Sequence, residues 1–177
     1  MNKIAFLIIT FLLIGCGKPL FGPDKLSLER KDYFGDELKI SGYYYRKYST
    51  DNTYRYVIYF FYNNGVLFHA GTIFEENLSK KEEEFKNGVF YNNTKNTRFR
   101  WGIYTISENK IKFERWYPGE AQKAFVSEGT ILNDTTFHIT KSYRNQNGEK
   151  TEIRPKDEVY HFKKFSTKPD STNKYTD

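Results

Sequence analysis

The sequence has few of the residues that most often carry out chemistry. It contains one cysteine and three histidines among 177 residues. A single cysteine excludes an intrachain disulfide, and His69, His138 and His161 stand far apart without metal-ligand spacing. The chain also has neither a Walker-type phosphate loop nor the Gly-x-Ser-x-Gly turn of serine hydrolases. We therefore expect a protein that is not an enzyme and that uses no metal and no cofactor.

Blocks of like charge are equally scarce. Lys and Arg number 28 against 22 Asp and Glu, a net charge of +6, and the two signs are interspersed. Nucleic-acid binding needs a concentrated basic patch, so we expect no nucleic-acid partner. The acidic runs Glu75-Glu76 and Glu82-Glu83-Glu84 are typical of a solvated helix face. Glycosidase carboxylates instead lie apart, on either side of the sugar.

Long apolar runs are absent except at the start of the chain. Ile4 to Ile14 is apolar apart from Thr10, and Lys3 precedes it. A membrane-spanning helix needs about 20 apolar residues, so this run is too short to span and has the layout of a signal peptide. The run ends in Leu13-Ile14-Gly15-Cys16, which resembles the lipobox of bacterial lipoproteins.

The lipobox resemblance implies a processed and lipidated N-terminus. Cleavage would fall between Gly15 and Cys16, and Cys16 would carry the acyl chains, palmitate among them, that hold the protein on a membrane. The residue that follows is Gly17 rather than the Asp that retains such proteins at the inner membrane. The resemblance therefore implies a lipid-anchored protein of the cell envelope, at the outer membrane.

Composition divides the chain into four parts. Residues 1–15 are the predicted signal peptide, and residues 16–35, with Pro and Gly at four of their first eight positions, are a lipidated N-terminus and tether. Residues 36–165 form the predicted folded domain. Residues 166–177 contain one aromatic and no aliphatic residue, which predicts a disordered tail.

Strand signals dominate the central part, where aromatics are abundant. The chain has 15 Tyr, 16 Phe and 2 Trp, or 19% aromatic residues, and aromatics favour strands. Turn signals at Asn63-Asn64-Gly65, Glu108-Asn109, Asn133-Asp134 and Asn147-Gly148 separate the apolar runs. The predicted strands are 38–47, 54–62, 66–74, 99–106, 111–117, 124–132, 136–143 and 159–165.

One short helix is predicted between the third and fourth strands. It spans Ser79 to Phe85, with Ser79 as N-cap, Glu82 at the capping-box position and Asn87-Gly88 as its end. The strand over 54–62 is apolar on both faces, so we expect it to be central or covered outside by this helix.

The order of these elements predicts a mainly β protein. About eight antiparallel strands in up-and-down order close into a single barrel, which removes exposed sheet edges. The chain resembles lipocalin-like β-barrel lipoproteins of Gram-negative envelopes in its lipobox, in Gly42-Tyr43-Tyr44-Tyr45, and in the meander from Arg100-Trp101-Gly102 to Asn133-Asp134. A barrel of this size encloses either packed side chains or one small ligand.

Aromatic residues beside arginines are the best candidates for ligand contact. Aromatic faces can stack on a sugar or line a lipid pocket, and arginine can hold a carboxylate or phosphate. The same aromatics could instead fill the core of a small β domain. The candidates are Tyr56, Trp101, Arg115, Trp116 and Tyr117.

Strand alternation distinguishes the two tryptophans. Trp101 shares a face with Phe99 and Ile103, which favours the core. Trp116 shares a face with Lys112 and Glu114, which favours an exposed or pocket-rim position.

Two functional hypotheses follow. The first is a non-enzymatic, membrane-anchored lipoprotein whose barrel binds a small apolar or amphipathic ligand. The alternative is a structural or interaction module of the cell envelope, with a filled core and a surface that binds a protein or polysaccharide.

Overall fold

The protein is an eight-stranded antiparallel barrel in which the last strand pairs with the first. The computed structural model describes residues 22–88, 94–119 and 122–176. The predicted signal peptide, the predicted cleavage site between Gly15 and Cys16 and the predicted lipid attachment at Cys16 lie outside them. This architecture confirms the predicted fold class. The strands are β1 Gly42–Thr50, β2 Thr53–Phe61, β3 Val66–Phe74, β4 Trp101–Ser107, β5 Lys110–Trp116, β6 Ala124–Asn133, β7 Thr136–Gln146 and β8 Glu149–Lys164.

Two-residue turns set the register of several hairpins. Glu108 and Asn109 have φ of 49° and 60°, and Asn147 and Gly148 have φ of 54° and 92°. Positive φ at both turn residues is the geometry of a primed turn, which matches the twist of the strands it joins. Both predicted turns are confirmed.

The predicted helix forms and covers the outside of β2. Helix α1 spans Leu78–Asn87 and ends at Gly88, whose φ of 68° is left-handed, as predicted. Its start was predicted wrongly: the N-cap is Asn77, without a side-chain cap hydrogen bond, because a 3-10 turn leads directly into the helix. Phe85 packs edge-to-face on Phe60 of β2, with ring centroids 5.3 Å apart. No helix in the described ranges is long and apolar enough to cross a bilayer.

Aromatic rings fill the middle of the barrel. Phe137 and Tyr160 stack with centroids 4.9 Å apart, and Tyr59 lies 5.1 Å from Phe113. Phe61 contacts rings from several strands, including Phe137 at 5.9 Å. These contacts cross the barrel, so its middle is a packed core.

One end of the barrel, called here the closed end, is covered by residues that precede β1. The Leu38 amide donates to the Tyr33 hydroxyl at 2.8 Å, and both side chains belong to the interior cluster. The Lys39 amide donates to the Asp134 carbonyl at 2.8 Å. Lys168, from the C-terminal segment, adds bonds from its ammonium to carbonyls at this end.

The N-terminal segment runs along the outside of the barrel. Asp24 binds Arg144 at the opposite end from Leu38. Further along, the buried Glu114 carboxylate accepts bonds from the amides of Ser27 at 2.6 Å and Leu28 at 2.8 Å. Residues 24–35, which belong to the predicted tether, thus lie against the barrel. The Glu114 carboxylate on β5, Arg144 on β7 and the buried ring of Tyr33 hold the segment there.

The C-terminal segment also lies against the barrel, which differs from the disordered tail that its composition predicts. The Asn64 side chain donates to the Ser171 hydroxyl at 3.0 Å, and Asp170 forms an ion pair with Lys95 at 2.6 Å. Thr176 is only 6% exposed. Hydrogen bonds and ion pairs of polar side chains hold this segment, and a prediction made from apolar content alone does not detect them.

Candidate ligand-binding site at the barrel mouth

The end of the barrel opposite the closed end, called here the mouth, carries an open cleft of about 430 Å³. This volume lies in the range of small-molecule sites. The cleft lies between the connection from β5 to β6 and the first half of β8, and Ser142 of β7 also lines it. Its walls combine aromatic and cationic side chains: Tyr117, Phe125, Lys123, Arg154 and Lys156.

The aromatic walls of this mouth cleft carry cations on their faces. Tyr117 and Phe125 meet edge-to-face with centroids 5.4 Å apart. The guanidinium carbon of Arg154 lies 5.0 Å from the Phe125 centroid, and that of Arg115 lies 3.9 Å from the Tyr117 centroid. Stacked guanidiniums of this kind are held in place by the ring and keep their edges free for a ligand.

Arg115 lies inside the barrel, beneath the cleft. It pairs across the sheet with Gly102 and Phe125, and it is 7% exposed. Its Nε donates to the Tyr59 hydroxyl at 3.2 Å. Its Nη1 donates to the Phe99 carbonyl at 3.4 Å and to the Trp116 carbonyl at 3.2 Å. All of these acceptors are neutral. None of the salt bridges among the described residues involves Arg115.

A second arginine lies close to Arg115 without a carboxylate partner among the described residues. Arg100 Nη1 donates to the His69 carbonyl at 3.5 Å, the outer limit of a hydrogen bond. Burial lowers the pKa of Arg100, and the charge of Arg115 lowers it further. Gly71 leaves the space that Arg100 occupies, because a Cβ there would lie 2.3 Å from Arg100 Nη1.

His69 shares this positive environment. Burial, then the charges of Arg115 and Arg100, hold its pKa well below the ordinary value, so the imidazole is neutral at pH 7. Its ring lies 4.9 Å from that of Tyr59, and its buried Nδ1 has no hydrogen-bond partner in the described structure.

The carboxylate of Glu158, on β8, is already engaged by neighbouring groups. Glu158 accepts a bond from the Tyr160 hydroxyl at 3.1 Å and forms ion pairs with Lys156 at 3.3 Å and Arg46 at 3.6 Å. The buried Nε atoms of Arg46 and Arg55 have no partner among the described groups. The inner part of the mouth therefore has an excess of positive charge.

The structure brings together two of the five sequence-predicted contact residues, Arg115 and Tyr117. Tyr56 lies on the outer surface, where its hydroxyl donates to Glu75 at 3.0 Å. Trp101 is 1% exposed and packs on Phe68 in the cluster outside the barrel.

Trp116 was predicted to be exposed or at a pocket rim; it is not exposed, but it lines a groove between the N-terminal segment and Arg98. Trp116 is 3% exposed, and its indole N–H donates to the Asp24 carbonyl at 2.6 Å. Strand alternation correctly predicted that the Trp116 side chain faces outward, but the N-terminal segment covers it.

Sequence reasoning missed three contributors to the site: Tyr59, Phe125 and Arg154. Tyr59 sits on a strand that is apolar on both faces, so alternation could not indicate its special role. Phe125 could have been found by counting the register back from the connection after Tyr117, since it pairs opposite Arg115. Arg154 lies in a stretch that the sequence did not indicate as strand.

Within the described ranges, no group of three or more His, Cys, Asp or Glu side chains could hold a metal ion. Comparison of the chain with protein-family models, curated proteins and solved structures found no match. The fold and the site define a closed eight-stranded antiparallel barrel with a packed middle, one covered end and a cationic, aromatic mouth.

Proposed function

We propose that this protein is a lipid-anchored, non-enzymatic protein of the cell envelope that binds a small amphipathic ligand at the barrel mouth. The observation that carries the proposal is the buried, unpaired charge of Arg115. The guanidinium lies beneath an open aromatic cleft, and it has no carboxylate partner among the described residues. Buried charges in proteins are normally paired, so a group outside the chain would complete this one.

The chemistry of the cleft favours a ligand with one apolar and one polar part. Tyr117 and Phe125 offer ring faces to an apolar group, while Lys123 and Arg154 offer charge at the entrance. The packed rings around Phe137 limit the depth that a ligand can reach. The ligand is therefore small, and it occupies the upper part of a lipocalin-like barrel rather than its full length.

The route of the N-terminal segment supports a function at a membrane. Under the proposed lipidation at Cys16, Asp24 lies eight positions after the anchor, and a chain of that length reaches at most about 29 Å. Asp24 is fixed beside Ala124 and Arg144, at the mouth end of the barrel. The anchor would then hold the mouth near the lipid surface, where an amphipathic ligand can be exchanged. The resemblance at Gly17 favours the outer membrane.

Native mass spectrometry tests the proposed function. The processed protein, purified gently from membranes in a non-ionic detergent, is expected to carry an extra mass that activation removes. Tyr117→Ala should reduce the loaded fraction, whereas Tyr54→Ala, at a half-exposed residue on β2, should not. A bare mass in the wild type, together with no uptake of added amphiphile, would contradict the proposal.

The packed middle of the barrel favours a second candidate, an interaction module of the envelope. Phe137, Ile139 and Ile111 are completely buried, as expected for a core that serves only to hold the fold. Crosslinking in intact cells should then recover one specific envelope protein or polysaccharide. Recovery of no specific partner, alongside a bound small molecule in the mass spectrum, would exclude this candidate.

A further inference from the structure

We propose that Arg100 and Arg115, called here the arginine pair, form a site for an oxyanion, a carboxylate or phosphate, at the inner end of the mouth cleft. The inference rests on the proposed function and assigns the polar part of the ligand. An amphipathic acid would bind with its acidic head on the arginine pair and its apolar part against the rings of Tyr117 and Phe125, which line the cleft.

Arg115 carries a buried positive charge whose partners among the described residues are all neutral. Removing a guanidinium from water is costly, and the cost is offset when an anion pairs with it. Arg115 is 7% exposed, yet its partners are the Tyr59 hydroxyl, two carbonyls and the Tyr117 ring. These bonds use Nε and Nη1, which leaves the Nη2 donors for an acceptor outside the chain.

Arg100 places a second positive charge beside Arg115. Burial lowers the pKa of Arg100, and the nearby charge of Arg115 lowers it further, because the two cations repel each other across a partly desolvated space. The described contacts of Arg100 supply no negative charge: its guanidinium donates to the His69 carbonyl at 3.5 Å and lies 5.4 Å from the centroid of the Phe99 ring. An anion bound to both would convert the repulsion into attraction.

The chain's own carboxylates near the mouth are committed elsewhere. Glu152 binds Lys123 at 2.8 Å and Arg144 at 3.4 Å, on the outer side of the cleft. Glu158 binds Arg46, Lys156 and Tyr160. The positive charge of the arginine pair is thus matched by no described group of the protein.

The geometry of the donors fits an oxyanion. Guanidinium presents parallel N–H groups that match two oxygens of a carboxylate or phosphate. The Tyr59 hydroxyl accepts the bond from Arg115 and donates to no acceptor among the described residues, so its proton can point to the same anion. Burial raises the pKa of Tyr59 to about 12, which keeps this donor protonated.

The experiment is isothermal titration calorimetry on the intact processed protein, with octanoate, octanol and inorganic phosphate as probes in one non-ionic detergent. Octanoate is expected to bind at least about tenfold more tightly than octanol, since charge-assisted bonds are the stronger ones. Weak phosphate binding assigns the anion to a lipid-like head. Phosphate binding as tight as that of octanoate assigns the same site to a free anion.

Equal affinity for octanoate and octanol would overturn the arginine-pair inference and leave the proposed function standing. No binding of any probe would overturn the inference as well, and a loaded wild-type protein in the mass spectrum would still support the proposed function. The two failures are therefore distinguishable.

Variants locate the effect. Arg100→Gln should weaken octanoate binding at least about tenfold and leave octanol binding unchanged. Arg98→Gln is the matched control, because Arg98 lies over the outward-facing Trp116 at 5.2 Å. Arg115→Lys keeps the charge but loses the planar fork, and circular dichroism checks its fold. Octanoate affinity within about twofold of wild type in a folded Arg100→Gln protein would contradict the inference.

Discussion

The carboxylate of Asp24 accepts two hydrogen bonds from the guanidinium of Arg144, at 2.6 and 2.8 Å, across 120 positions of the chain. It also accepts a bond from the Ala124 amide at 2.9 Å. These three bonds fix the N-terminal segment to the mouth ends of β6 and β7. One carboxylate therefore holds the start of the described N-terminal segment at the mouth of the barrel.

Asp24→Asn should lower the free energy of unfolding at pH 7 by about 1 kcal/mol, because a bidentate charge-assisted pair is lost. The hydrogen bond from Arg144 lowers the pKa of Asp24. Its contribution is therefore present above the unfolded pKa, about 3.9, and is lost as the pH falls through the folded value. Urea denaturation from pH 7 to pH 2 should show a shallower acid decline in the variant.

Glu29→Gln is the control for this prediction, because that side chain is 78% exposed. Its effect should stay within about 0.5 kcal/mol. Identical acid declines in Asp24→Asn and wild type would show that the Asp24 bonds contribute nothing to stability.

Phe137 is the clearest test of the packed middle of the barrel. It is completely buried and stacks on Tyr160 with an interplanar angle of 13°. Phe137→Ala should cost about 3–5 kcal/mol, since it removes a large ring and leaves a cavity. Phe34→Ala, at a residue 83% exposed, should change stability by less than about 0.5 kcal/mol. A small effect of Phe137→Ala in urea denaturation would mean that the barrel interior is loosely packed.

Lys168 should make stability rise with pH in the alkaline range. Its ammonium donates to the carbonyls of Ile40 at 2.6 Å and Phe61 at 3.0 Å, and burial lowers its pKa to about 8. Between pH 8 and about 10.4, the unfolded lysine holds a proton that the folded one has released, so the free energy of unfolding increases.

Other groups titrate in the same range, so the measurement is the difference between wild type and Lys168→Met. That difference should become more favourable to the wild type from pH 7.5 to pH 9.5. A difference that stays constant over this range would contradict a lowered pKa for Lys168.

The proposed lipid anchor is tested by Cys16→Ser. A serine cannot form the thioether, so the protein should appear in the soluble fraction or keep its signal peptide. Two or more acyl chains bind a bilayer stably, whereas a chain without lipid should not remain on it. A Cys16→Ser protein that is cleaved at Gly15 and still sediments with membranes would mean that another feature attaches it.

Local sequence signals were sufficient to predict the barrel, but not the face of the sheet on which each side chain lies. Regular strand alternation over 136–143 would place Tyr143 on the same face as Phe137 and Ile139. Bulges after Ile139 and after Ser142 break the alternation, so that Ser142 pairs with Ser127 and lines the mouth cleft. Tyr143 instead bonds the Glu128 carboxylate at 3.2 Å. A bulge shifts the face of every later residue and has no reliable sequence signal.

The site was predictable only in part, for a related reason. Arg115 and Tyr117 share a face of one strand, so alternation alone could pair them. Arg100 and His69 reach the same region through barrel closure and through the bulge that pairs Tyr59 with His69. Convergence of this kind depends on long-range register, which one sequence does not encode in any local pattern.

The central claim is that an amphipathic acid binds at the mouth with its head on the arginine pair. The most direct measurement is a crystal structure of the protein with 8-bromooctanoate, in which anomalous scattering locates the bromine. We expect the carboxylate within hydrogen-bond distance of Arg100 and Arg115, and the bromine in the mouth cleft against Tyr117 or Phe125. A bromine at the closed end near Leu38, or only between neighbouring molecules, would contradict it.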